Sequence, residues 1–296
     1  MRKAIILGIA AASLLAASGA EAQFRNRGEQ LSTQARGAQT ISYGSDEAQQ
    51  LDFYRAKGAS RAAPLVLFVH GGGWTNGTKE NATGPHKAPH YTGLGYNFAT
   101  IDYRLVPDAT VEQQAQDVAD ALKLLLGRAQ QLGIDRSKVV LMGHSAGAHL
   151  VALVGTDPQY LSRAGLSYRD IDGIIPLDGA AYDVAKQMEQ SRLRLLKRRY
   201  DDAFGKDPAR QRALSPTHQA AAPNAASWLI LHVDRADGRQ QSQELARALR
   251  RGGSQAEVIE FEGKGMRGHA EINRSMGDPD YEGTPVVDRW LGRAFR

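Results

Sequence analysis

Gly143, Ser145 and Gly147 stand at alternate positions in the stretch 139–150, where a short apolar run ends in Gly-His-Ser-Ala-Gly. The run reads as a buried strand, and the small and apolar residues after it read as the start of a helix. A serine on a sharp strand-to-helix turn projects its Oγ clear of the sheet edge. Side chains at 143 and 147 would strike the neighbouring strand and helix, so glycine is required at both. A serine hydroxyl is a weak nucleophile until a base takes its proton, so the pattern calls for a distant histidine and an acid.

A second apolar run, 65–69, leads into His70-Gly71-Gly72-Gly73-Trp74. Glycine N–H groups can approach a substrate oxygen without a Cβ in the way. Such a glycine loop can lend donors to a developing oxyanion, joined by the N–H of Ala146, which follows the nucleophile. The best candidate base is His269, expected on the glycine-rich loop that follows the alternating stretch 256–261. Two acids, Asp234 and Asp237, follow the apolar run 228–233. Asp237 is preferred because a few residues beyond the strand give the loop reach toward the histidine, but Asp234 stays open. His144 and His149 flank the serine and are expected either to pack or to support the reacting side chains from behind. His70 is expected to bond its ring to nearby backbone. The histidines are scattered without metal-ligand spacing, so no zinc site is expected.

The elements that must position these residues alternate strand and helix. Residues 51–55 alternate and suit an edge hairpin with the stretch around Ile41-Ser42-Tyr43. Strands are expected at 65–69, 95–104, 138–142, 171–179, 228–233 and 256–261. Helices are expected at 111–126, capped by Asp108 or Thr110, at 241–250, and at 286–291. This order predicts a doubly wound, mainly parallel α/β sheet. Residues 75–92 read as a loop or short helix over the site. The irregular stretch 182–222 reads as a small cap insertion. Trp74, Tyr91, Tyr103 and Tyr182 are candidate pocket walls.

A chain of 296 residues is long enough for one large α/β domain. Residues 1–22 read as a secretory signal peptide: Arg2 and Lys3, a short apolar region from Ala4 to Ala17, then Ala20-Glu21-Ala22 before Gln23. That predicts a periplasmic or secreted protein without stable membrane insertion, because the apolar region is too short to span a bilayer. Residues 23–40, rich in Gln, Arg, Gly and Ser, read as a flexible arm, with the catalytic domain at 41–296. There is no cysteine, hence no disulfide or thiol chemistry. The net charge of +5 is modest. The basic run 192–199 reads as the solvated face of a helix rather than a nucleic-acid patch, since no recognition motif accompanies it.

Taken together, His70-Gly-Gly-Gly-Trp74, Asp102-Tyr-Arg-Leu105, Gly143-His-Ser-Ala-Gly-Ala-His149 and the late Asp and Gly-His269 resemble the acetyl-esterase, feruloyl-esterase and kynurenine-formamidase-like branch of the α/β-hydrolases, related to the hormone-sensitive-lipase-like esterases. The resemblance spans roughly residues 45–295. It implies the α/β-hydrolase fold and a cofactor-free serine hydrolase of small acyl esters. In it Ser145 is the nucleophile, His269 the base and acid, Asp237 or Asp234 the triad acid, and Gly72, Gly73 and Ala146 the oxyanion donors. The chain departs from the family pattern at the acid loop, where many relatives carry Gly after the strand and this chain has Val233-Asp234-Arg235. The expected activity is an exported carboxylesterase acting on a small-molecule ester. An arylformamidase-type amide hydrolase and a non-catalytic binding protein on the same fold are the alternatives.

Overall fold

Each central strand is apolar on both faces because helices cover both. The computed structural model describes residues 37–191 and 194–296. The expected signal peptide and residues 23–36 of the expected arm lie outside the described residues, as do Arg192 and Leu193 of the basic run. An eight-stranded sheet carries the fold, in the order β1-β2-β4-β3-β5-β6-β7-β8. The strands are β1 (Ala38–Ser42), β2 (Gln50–Tyr54), β3 (Ala63–Val69), β4 (Asn97–Ile101), β5 (Ile134–His144), β6 (Gly173–Leu177), β7 (Ser227–Asp234) and β8 (Gln255–Lys264). β1 pairs antiparallel with β2, and β2 antiparallel with β4; all other pairs are parallel. This is the mainly parallel, doubly wound sheet that the alternation predicts. Residues 38–40, assigned to the arm on composition, pair with β2 instead, because backbone pairing at a sheet edge demands little of the side chains.

Two hydrophobic cores flank the sheet. In β3, Leu65, Leu67 and Val69 enter one core, while Val66 and Phe68 enter the other. β5 divides in the same way, with Val139 and Leu141 on one side and Val140 and Met142 on the other. Continuous apolar runs are what a parallel sheet covered on both faces requires.

The helices are α1 (Lys87–Gly93), α2 (Val111–Gly127), α3 (Ala129–Leu132), α4 (Ala146–Thr156), α5 (Pro158–Arg163), α6 (Val184–Gln190), α7 (Arg194–Phe204), α8 (Pro208–Ala213), α9 (Pro216–Gln219), α10 (Ala236–Arg251), α11 (Gly265–Ser275) and α12 (Gly283–Ala294). Thr110 starts α2 through a capping box with Gln113, satisfying donors that a helix start leaves unpaired. Every residue of α4 is buried, which fits its run of small and apolar side chains. Leu150, Val151, Leu153 and Val154 each gain about 1.5–3 kcal/mol from that burial. Helices α6 to α9 form the insertion expected at 182–222.

Candidate active site

The turn from β5 into α4 holds Ser145 at φ 55° and ψ −116°, a strained backbone for a residue with a side chain. Neighbouring contacts show why glycines flank it. A Cβ on Gly143 would lie 2.3 Å from the Gly147 carbonyl oxygen, and a Cβ on Gly147 would lie 2.1 Å from the Val69 carbonyl oxygen at the end of β3. The Ser145 N–H is committed to the Leu177 carbonyl at 3.1 Å. The Ala146 N–H opens α4, among the amides a helix start leaves without an intrahelical acceptor.

The glycine loop after β3 reaches Ser145 directly. A Cβ on Gly71 would stand 2.9 Å from the Ser145 Cβ. Gly72 has φ 134°, and a Cβ there would overlap the Asn76 carbonyl oxygen at 1.8 Å. The loop is pinned on both sides. Tyr103 Oη donates to the His70 carbonyl at 2.9 Å, and its ring stacks on the His70 imidazole at 4.4 Å. Gln114 Nε2 and the Val106 N–H both donate to the Trp74 carbonyl. His70 Nδ1 lies 2.6 Å from the carbonyl oxygen of Gly71, the backbone contact expected of it. Burial pushes its imidazole down to about 4, so it is neutral near pH 7.

His269 sits on α11, not on the loop expected from its glycines; β8 runs through to Lys264 and the helix begins at once. Its Nδ1 is 2.6 Å from Oδ2 of Asp178. A carboxylate only accepts, so Nδ1 carries the proton and Nε2 is left as the basic nitrogen. Asp178 is fully buried just beyond β6, and its Oδ2 is also 3.0 Å from Arg235 Nε. The Val233 N–H approaches its Oδ1 at 3.3 Å.

The acid expected from the sequence is therefore not the one on the histidine. Asp237 lies in the first turn of α10, where its Oδ2 accepts from Gln187 Nε2 at 3.1 Å and stands 4.0 Å from Arg235 Nη1. Burial pushes the Asp237 carboxyl up, but Arg235 and the Gln187 hydrogen bond outweigh it and hold it below the usual carboxylate range. Asp234 faces outward and pairs with Arg239 at 3.1 Å. The reason is topological. β6 lies between β5 and β7, so a residue at its C-terminal end is next to the elbow, whereas α10 starts directly after β7 and leaves no loop to carry Asp237 inward. An Asp-Gly pair closing the strand beside the elbow was the available signal.

Ser145, His269, the three glycines 71–73 and Asp237 line one cavity of about 460 Å³. Helix α7 closes one side with Leu196, Arg199 and Tyr200, and α11 adds Met266 and Asn273. Trp74 lines the cavity, although it is almost wholly buried among Phe204, Tyr200 and His149. Tyr91, Tyr103 and Tyr182 are core residues rather than walls.

His144 and His149 are packing residues. His144 Nε2 donates to the His269 carbonyl at 2.9 Å, fixing the start of α11 against the elbow. Burial, and then the adjacent His269, push its imidazole well below the usual value. His149 Nδ1 accepts from Trp74 Nε1 at 3.3 Å while its Nε2 donates to the Leu214 carbonyl at 2.8 Å. Burial lowers it to about 4. Among the described residues, no group of three or more His, Asp or Glu could hold a metal ion, and no helix is long and apolar enough to cross a membrane.

Such a site can deliver a serine oxygen to a carbonyl carbon, hold the resulting oxyanion on backbone N–H groups, and shuttle the proton through an imidazole. The BD-FAE family matches residues 51–249. Esterase LipC of Mycobacterium tuberculosis is 29% identical over 204 residues, covering 66% of this chain and 50% of LipC. Kynurenine formamidase of Danio rerio is 25% identical over 257 residues, covering 86% of this chain and 82% of that one. This chain spans about half the length of LipC and of other curated relatives it matches. Esterase B from Lactobacillus rhamnosis superposes with a TM-score of 0.71 at 20% identity over 96% of this chain and 94% of its own, a likeness of fold. The family match across the strands and helices that carry both the glycine loop and the serine elbow leads to one conclusion: this chain belongs to the BD-FAE family.

Proposed function

We propose that this protein is a serine hydrolase of small carboxylic esters with short acyl groups, using Ser145, His269 and Asp178 as its triad. The observation that carries the reading is the 2.6 Å contact between His269 Nδ1 and the buried Asp178 carboxylate, in a cavity that Ser145 also lines. His269 Nε2 takes the Ser145 Oγ proton as Oγ attacks the ester carbonyl carbon. The N–H groups of Gly72, Gly73 and Ala146 hold the oxyanion. As the tetrahedral intermediate collapses, His269 returns the proton to the leaving alcohol, and an acyl-Ser145 remains. Water, deprotonated by His269, then attacks that acyl carbon, releasing the acid and restoring Ser145. Asp178 keeps the imidazole in the right tautomer and stabilises its charged form.

The sequence of residues 1–22 supports export, and with it a substrate met outside the cytoplasm. Fractionation with N-terminal sequencing tests this: Gln23 as the mature N-terminus supports export, and retention of Met1 in the cytoplasm rejects it. For the chemistry, p-nitrophenyl acetate turnover by the wild type, lost in Ser145→Ala together with fluorophosphonate labelling, is the expected result. A protein that neither turns over short acyl esters nor labels would overturn the reading.

A second reading, hydrolysis of a formyl amide, is favoured by the match to kynurenine formamidase over most of both chains. It uses the same triad, with an amine as leaving group. The ratio of kcat/KM for an aryl formamide over the matching aryl acetate separates the two, the ester reading requiring a ratio well below one.

A further inference from the structure

Arg199 is the residue of the basic run that points to a ligand. It lies on α7 and lines the same cavity as Ser145 and His269. Its Cδ and Nη1 are 3.3 and 3.5 Å from where a Cβ on Gly73 would stand, so the side chain lies over the oxyanion loop. It is half-buried, and no carboxylate among the described residues pairs with it. The other charged groups of the cavity are already committed. Arg235 faces Asp178 at 3.0 Å, and Asp237 is held by Gln187 with Arg235 at 4.0 Å. A guanidinium drawn partly out of water is costly unless an anion or hydrogen-bond acceptors meet it. It is always charged and presents a planar fork that matches a carboxylate. The exposed Arg194, Lys197 and Arg198 of the same helix line a groove with Asp201, so the helix that closes the cavity is predominantly positive and favours the approach of anions.

We infer that the ester taken by this site carries a carboxylate, and that Arg199 binds it, making Arg199 a specificity-determining residue. This rests on the serine-hydrolase reading and names its substrate class.

The test uses two matched pairs of esters. In one the charge is on the leaving group, 3-acetoxybenzoate against 3-acetoxybenzamide. In the other it is on the acyl group, monoethyl adipate against ethyl hexanoate. In one of the two pairs the carboxylate member has the lower KM, and its kcat/KM exceeds that of its neutral partner by about tenfold, the size of one charge-assisted contact. Arg199→Gln brings that ratio close to one, and Arg199→Lys retains part of it. Inhibition of the wild type by 3-hydroxybenzoate against 3-hydroxybenzamide measures leaving-group-side preference without any variant. Equal or neutral-favouring ratios in both pairs, or a preference that survives Arg199→Gln, overturn the inference. Cleavage of the neutral esters reports separately on the underlying reading. If neither neutral ester turns over and Ser145 does not label, the hydrolase reading fails; if they turn over without a charge preference, only the role of Arg199 falls.

Discussion

Asp178 Oδ2 lies 2.6 Å from His269 Nδ1 and 3.0 Å from Arg235 Nε. One buried carboxylate thus faces an imidazole on one side and a guanidinium on the other. The first contact sets the histidine tautomer. The second compensates a charge that burial alone would make expensive. Arg235 also contacts the Gly179 carbonyl at 3.2 Å, so it braces the turn on which Asp178 sits at φ 43°.

The assignment of the acid is tested by comparing two asparagine variants. Asp178→Asn is expected to lower kcat for p-nitrophenyl acetate by about ten-thousandfold, as when a triad acid no longer holds its histidine. Asp237→Asn, whose carboxylate meets Gln187 and Arg235 rather than His269, is expected to cost less than about tenfold. Reversal of that order would return the acid to Asp237.

Gly72→Ala probes the proposed oxyanion loop. The added Cβ meets the Asn76 carbonyl oxygen at 1.8 Å and imposes a side chain at φ 134°. The loop must move, and with it the N–H groups at 72 and 73. A fall in kcat of about a hundredfold to a thousandfold is expected, the cost of one misplaced oxyanion donor, in a protein whose circular dichroism is unchanged. Near-wild-type kcat would place the oxyanion donors elsewhere.

Gly147→Ala acts on stability. Its Cβ would lie 2.1 Å from the Val69 carbonyl oxygen and 2.5 Å from that of His70, both backbone atoms in a packed strand end. Overpacking against atoms that cannot rotate away costs about 1–3 kcal/mol or more. Urea denaturation should show the free energy of unfolding lowered by that amount and the midpoint lowered accordingly; an unchanged midpoint would show that the elbow has room the contacts deny.

Stability should also fall in mild acid. His70 and His149 are buried and neutral, each lowered to about 4 by burial, against about 6.5 in an unfolded chain. Between those values the unfolded state binds more protons, so stability rises with pH. The contribution is fully present above about pH 6.5 and is lost as pH falls toward 4, at up to about 1.4 kcal/mol per pH unit for each histidine. Urea midpoints at pH 7 and pH 5 measure it, and His149→Gln should flatten the slope. A midpoint independent of pH across that window would contradict buried neutral rings.

Much of this site is legible in the chain because local rules dictate it. Glycines at 143 and 147 around Ser145 announce a turn with no room for side chains, and the structure shows the two carbonyls that fill that room. The run 65–69 and its glycines announce a strand end open to a ligand. Alternating apolar runs and helical periods specify a parallel sheet wrapped on both faces. The acid is different. Asp178, Asp234 and Asp237 all follow Ser145 in the chain and all stand at strand ends or just past them, so order alone does not choose among them. The choice is made by the lateral position of β6, next to β5 in the sheet, and by the immediate start of α10 after β7. Strand order is set by which faces bury most apolar surface together, a property of the whole chain. The same holds for Arg199: in sequence it is one cation in a basic run, and only the packing of α7 across the glycine loop brings it over the cavity.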